Sequence, residues 1–315
     1  MTGRERLKQK WRRLRATLRR ERTWRAASCV TDAVAAVDTA GTRCSGLFVL
    51  GAGRSGTSLL MAMLNTPGWH QGEVHSIQPR QANPLGFYED WEVNAINDRI
   101  IEAALKATGR APGLSKDAGV DHPGPGQHWL ARVPLNTHME ATAEQKQDMA
   151  RLMEQRPFCY KDPRFSYTLD LWLEQMTPES RRQVRTICMF RRPEVVVESL
   201  LKEVRVEPTL HNLAISVKQA FAIWELSYQW ILRRCRRPSA EQTLFLEYEA
   251  LFSDAGQQTL KRFTGIQIDR SLPRPELNRS QGNTLPRPPG CEQLYRELQK
   301  MADADQGRWS GQQQQ

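Results

Sequence analysis

The chain has 315 residues, 39% of them apolar, with nine Trp, enough for one large domain or two modest ones and too apolar for wholesale disorder. Its formal charge is +10, but residues 1–25 hold eleven Lys/Arg against Glu5 and Glu21, so nine of those ten charges sit in one basic arm. The remaining body is close to neutral, which argues against a nucleic-acid partner, and its six cysteines form no CxxC pair that would suggest a zinc site.

In chain order the arm comes first. Leu7, Trp11, Leu14 and Leu18 recur at helical spacing and share one face, with arginines around the rest. A solvated terminal helix is one reading, docking on an anionic membrane surface or an acidic partner a second, and contact with nucleic acid a third. No continuous apolar stretch follows the basic residues as a secretory leader requires, and nothing elsewhere reaches bilayer-spanning length. A cytoplasmic protein is expected, at most peripheral to the inner face of the membrane.

Residues 26–40 are helix-compatible. Residues 47–50 read as a buried strand that breaks into GAGRSGT, and 57–64 (TSLLMAML) as the helix leaving that loop, stopped by Asn65-Thr66-Pro67-Gly68. After a turn-rich stretch, 89–107 shows helical periodicity through Trp91, Ile96, Ile100 and Leu105. Residues 109–127 contain three prolines and five glycines and read as a surface loop of the length a lid or binding segment takes.

A helix is predicted over 141–155, a short strand over 158–161 and a helix over 165–176, with Leu169, Trp172 and Leu173 as its apolar face. VRTICMF (184–190) is a buried strand feeding Arg191-Arg192-Pro193, and proline in the first turn suits the helix that follows. A long helix is expected over 211–233, a strand over 243–246 and a helix over 251–263. Residues 269–289 are rich in proline and polar groups. A C-terminal helix and flexible tail over 291–315 follow. Strands separated by helices predict an α/β fold with a largely parallel sheet, organised as a basic arm (1–25), one domain (26–290) and the C-terminal segment.

Strand, glycine turn and helix start together make an anion cradle, because unpaired amides and the positive dipole end point into the loop. Gly51, Gly53 and Gly56 permit close approach, Ser55, Thr57 and Ser58 add hydroxyls, and Arg54 adds fixed charge suited to phosphate. Gly51 and Gly56 have the spacing of the nucleoside-triphosphate loop GxxxxGK[ST], but Thr57 stands at the lysine position, which disfavours ATP. Cys159 and Cys188 fall in strands and read as buried thiols. The six histidines show no HExxH; His70 with His75 and His122 with His128 are the pairs that could in principle meet a metal, and no metal is expected.

GAGRSGTSLL and FRRPEVVVESL, taken together, resemble the sulfotransferase superfamily over roughly residues 46–265. The first is similar to the loop that holds the 5′-phosphosulfate of 3′-phosphoadenosine 5′-phosphosulfate. In the second, Arg191, Pro193 and Ser199 match the 3′-phosphate signature of strand-ending arginine, proline two residues on and serine eight residues on. Arginine at 54 and the Lys161-Asp162-Pro163 run look more like the tyrosylprotein and bacterial branches than the cytosolic one.

The resemblance implies an α/β, P-loop-like three-layer domain with a central, mainly parallel sheet. It implies sulfuryl transfer from that donor to an acceptor hydroxyl, without a metal. Gly53, Arg54, Ser55, Gly56, Thr57, Ser58, Arg191 and Ser199 are then the donor-binding residues, and Lys161 and Arg54 stabilise the transition state. The general base is Glu73, in HQGEVHS, where Val74 and His75 replace the arginine that usually follows, or Glu89, in NPLGFYE, or His75. Asp162 orients a neighbour and Arg164 meets donor or acceptor, unless the turn is a salt-bridged corner that fixes the next helix. Carbohydrate, peptide, lipid and small-molecule acceptors all fit, with His122, His128 and Trp129 expected along the acceptor cleft. The alternatives are a nucleotide kinase-like phosphotransferase and a non-catalytic anion-binding or scaffold protein attached through residues 1–25. A donor with two anionic ends needs two cradles at strand C-termini, so Arg54 and Arg191 must open on the same side of the sheet.

Overall fold

The computed structural model describes residues 44–74, 86–108, 123–236, 242–273 and 285–310. The basic arm, the helix read at 26–40, His75, His122 and the glutamine-rich tail lie outside them.

In chain order the elements are β1 (Gly46–Leu50), α1 (Thr57–Met63), α2 (Trp91–Ala107), α3 (Ala143–Met153), β2 (Phe158–Lys161), α4 (Phe165–Leu173), α5 (Pro178–Arg182), β3 (Val184–Phe190), α6 (Pro193–Val206), α7 (Val217–Cys235), β4 (Gln242–Glu247), α8 (Asp254–Thr264) and α9 (Pro289–Ser310). The strands pair in the order β2-β1-β3-β4, every pair parallel. Short apolar runs such as LFVL suit such a sheet, because helices cover both of its faces.

Alternation along the strands divides the core. Phe48, Leu50, Tyr160, Cys188 and Phe190 join residues of α2, α3, α4, α6, α7 and α9 on one face. Leu47, Val49, Cys159, Ile187 and Met189 join α1 and α8 on the other. Burial pushes the Cys159 and Cys188 thiols up, as expected of inert core cysteines.

Register decides where the strand tips lie. Val49 stands opposite both Lys161 and Ile187, and Leu50 opposite Cys188, so β2, β1 and β3 finish side by side. No helix among the described residues is long and apolar enough to cross a membrane.

Several helix boundaries differ from the sequence expectation, three of the starts for a capping reason. α7 begins at Val217 rather than His211, because Ser216 and Gln219 cap each other's backbone N–H reciprocally. α8 begins at Asp254 rather than Leu251, with Ser253 Oγ accepting from Gly256 N at 3.1 Å after a tight turn over Tyr248–Phe252. α2 begins at Trp91 because Asp90 accepts from the backbone of Glu92 and Val93 at 2.9 and 2.8 Å. α4 stops at Leu173, short of Met176.

Candidate active site

The loop after β1 is shaped by what it packs against. Gly56 caps α1 with φ 93°, and a Cβ there would stand 2.2 Å from the Tyr248 ring. At Gly53 a Cβ would meet the Trp129 indole at 2.6 Å, so only glycine lets these two aromatic walls close on the loop. Ser55 is fully buried, and its hydroxyl bonds to Tyr228 Oη at 2.8 Å, while that phenol donates to Met189 O at 2.9 Å. The Ser55 side chain therefore fastens the loop to β3. Arg54 adopts φ 73°, in the left-handed region that residues with a side chain seldom occupy.

The side chain of Arg54 crosses to α6. Its Nε donates to Ser199 Oγ at 3.1 Å and lies 3.1 Å from Glu203 Oε2. Pro193 starts α6 directly after Arg191 and Arg192, which fixes how far Ser199 stands from the strand tip. Arg191 is buried with its guanidinium 4.1 Å from the centre of the Tyr248 ring. Burial draws that guanidinium below arginine's usual range; Tyr248 and Glu249 oppose the shift, and the charges of Arg192 and Arg54 add to it. An incoming anion would relieve such crowding of positive charge. Arg54 and Arg191 thus follow the carboxyl ends of neighbouring parallel strands, near enough for the charge of one to act on the other.

Lys161 ends β2 and is 3% exposed. Its Nζ donates to Phe87 O at 3.1 Å and to Ser58 Oγ at 3.4 Å, and it forms a close ion pair with Glu89. Glu89 also accepts from Asn94 Nδ2 at 2.8 Å. Burial alone would raise the Glu89 pKa, but Lys161 and Arg164, with the hydrogen bonds from Lys161 and Asn94, outweigh it and hold the carboxyl below its usual range. Glu73 lies across the start of α2, where its Oε2 accepts from Trp91 Nε1 at 3.3 Å and its backbone N donates to Asp90 Oδ2 at 2.7 Å. Thr57 is buried at the start of α1.

Two expectations, for Arg164 and His128, are corrected, while Asp162 orients its neighbours as expected. Arg164 is buried and bonded to Asp98, Asp162 and Gly126 O, so it braces the turn from within. Asp162 accepts from Arg164 and from Asn97 Nδ2, the salt-bridged corner. His128 is buried with Nδ1 3.0 Å from Asp98 Oδ2 and takes no place along an open cleft.

Glu203, Tyr248 and Tyr228 went unnoticed in the sequence. For Glu203 a signal exists: it stands one helical turn beyond Ser199, on the same face. Among the described residues no group of three or more His, Cys, Asp or Glu is placed to hold a metal ion.

A family model described as "Sulfotransferase family" matches residues 46–268. No protein of curated function matches the chain significantly. Among solved structures, the sulfotransferase domain of the olefin synthase of Synechococcus PCC 7002 aligns with 20% identity and a TM-score of 0.43, over 80% of this chain and 94% of that one. The sulfotransferase domain from the curacin biosynthetic pathway aligns with 16% identity and a TM-score of 0.43, over 80% and 96%.

Proposed function

The chain belongs to the sulfotransferase family, and on that premise we propose that it moves a sulfuryl group from 3′-phosphoadenosine 5′-phosphosulfate to an acceptor hydroxyl. One contact carries the reading: Arg54, in the loop after β1, reaches Ser199 on α6 at 3.1 Å. The segments that resemble the 5′-phosphosulfate and 3′-phosphate signatures meet there, at the tips of two adjacent parallel strands. Ligands of open α/β sheets bind at such carboxyl ends.

The donor supplies a sulfuryl group activated by a phosphate leaving group, and this chain's residues do the rest. The amides of residues 53–58, at the start of α1, together with Arg54 hold the phosphosulfate end. Arg191 and Ser199 hold the 3′-phosphate. Lys161 and Arg54 stabilise the charge that develops on the bridging oxygen as its bond to sulfur breaks. Glu89 is spent on Lys161: the ion pair orients the lysine and lowers the basicity of the carboxylate. Proton acceptance from the hydroxyl therefore falls to Glu73, held by Trp91 Nε1.

Titration of the folded chain with 3′-phosphoadenosine 5′-phosphate, followed by calorimetry, tests the donor. Binding that is lost on removal of the 3′-phosphate, or in Arg191→Ala, is the expected result. Failure of the folded protein to bind the nucleotide overturns the proposal.

A further inference from the structure

Glu203 has no part in the reading above, yet it sits in the middle of the site. Its side chain is 4% exposed, and its Oε2 lies 3.1 Å from Arg54 Nε, the same nitrogen that donates to Ser199 Oγ. The charged groups that act on it come from every element around it: Arg54 from the loop after β1, Glu89 from the segment before α2, Lys161 from the end of β2 and Glu207 from the end of its own helix. Burial pushes its pKa up, Arg54 pulls it back, Glu89 and Glu207 raise it and Lys161 lowers it. A buried carboxylate beside an arginine of an anion site weakens anion binding by charge alone. Stability gives little reason for the pair, since burying two charges is offset by desolvation.

We propose that Glu203 is an internal counter-anion for Arg54. It holds the guanidinium for which the phosphosulfate end competes, and so sets how strong an anion must be to bind. The inference rests on the nucleotide reading and deepens it. The aim of Arg54 is determined from both ends, by its left-handed backbone (φ 73°) in the loop and by Ser199 and Glu203 on α6. A multiply charged nucleotide outcompetes one carboxylate at this position, whereas a singly charged anion gains little over it. Glu203 is thus a positioning residue, which acts on the ligand through Arg54.

The test is calorimetric titration of 3′-phosphoadenosine 5′-phosphate into the full chain, Glu203→Gln and Glu203→Asp, at neutral pH and at successively lower pH, where a carboxyl with a raised pKa takes up its proton before its solvated counterparts. Glu203→Gln should bind at least about fivefold more tightly at neutral pH, since removing a unit charge a few ångströms from an anion is worth that even in a water-like dielectric. The ratio should shrink as pH falls, because protonation of Glu203 makes the natural chain resemble the variant. Titration of the nucleotide's own phosphates affects both proteins alike and cancels. Glu203→Asp keeps the charge but withdraws it by one methylene, so its affinity should fall between the two. It carries the comparison with the same sign should Glu203→Gln not fold. A folded variant that binds no more tightly at neutral pH overturns the role of Glu203 alone. Absence of binding by all three proteins overturns the donor reading, and this inference with it.

Discussion

Lys161 offers three N–H donors and has three acceptors in place, Phe87 O, Ser58 Oγ and the Glu89 carboxylate. An ammonium held this way is oriented before any ligand arrives, which is where electrostatic catalysis gains most. Lys161→Ala should slow sulfuryl transfer by about 100- to 1,000-fold while changing nucleotide affinity only a few-fold. It also leaves Glu89 buried without its main partner, so thermal stability should fall. The double variant Lys161→Ala/Glu89→Gln should recover that stability without recovering the rate, which separates chemistry from folding. Glu73 is tested differently. If it accepts the hydroxyl proton, Glu73→Gln should lower kcat by about 100- to 10,000-fold with nucleotide affinity little changed. A kcat that survives in Glu73→Gln and collapses in Lys161→Ala/Glu89→Gln beyond the loss seen in Lys161→Ala would transfer the assignment to Glu89.

Between elements, the polar network around Asp98 matters most. Its carboxylate, on α2, accepts from Gly126 N at 2.6 Å, His128 N at 3.1 Å and Arg164 Nε at 3.1 Å, which ties α2 to the turn before α4 and to the segment carrying Trp129. Trp129 in turn lies against Gly53 of the anion loop. Burial disfavours the ionised Asp98, but His128, Arg164 and the Gly126 amide more than compensate and hold its pKa at about 2. With the folded value below the unfolded one, the stabilisation is present above the usual aspartate pKa. It is lost as pH falls through the folded value and amounts to about 2 kcal/mol. Asp98→Asn should therefore destabilise the neutral protein by about 2–4 kcal/mol in urea melts, and should flatten the loss of stability between about pH 4 and pH 2. The same network explains why His128 and Arg164 were misjudged from sequence. Asp98 stands in an ordinary amphipathic run, and a buried carboxylate is written with the same letter as a solvated one. The cap of α7 is the opposite case: Ser216 and Gln219 spell a reciprocal cap in four letters, and the apolar pattern running back to His211 concealed it.

At the scale of the whole molecule, the strands were legible because each is a short apolar run with a glycine, proline or charged turn behind it, and the periodicity of the helices between them implied parallel pairing. The order β2-β1-β3-β4 was not, since which strand lies beside which depends on crossovers that leave no local mark. That order puts the loop after β1 beside the tip of β3, and so lets Arg54 meet an α6 that begins well over a hundred residues later. The two halves of the site are therefore joined only through the fold, and a nucleotide lying across them should couple them. At a concentration of about 100 Kd it should stabilise the protein by about 2.7 kcal/mol. The added protection from hydrogen exchange should concentrate at residues 51–60 and 191–203. α5 provides the internal control, because it precedes Val184 and so lies at the opposite end of β3. Protection at α5 equal to that at the two loops would mean that the ligand tightens the molecule as a whole, or sits elsewhere. Protection confined to the strand tips would be the signature of one ligand held by both turns at once.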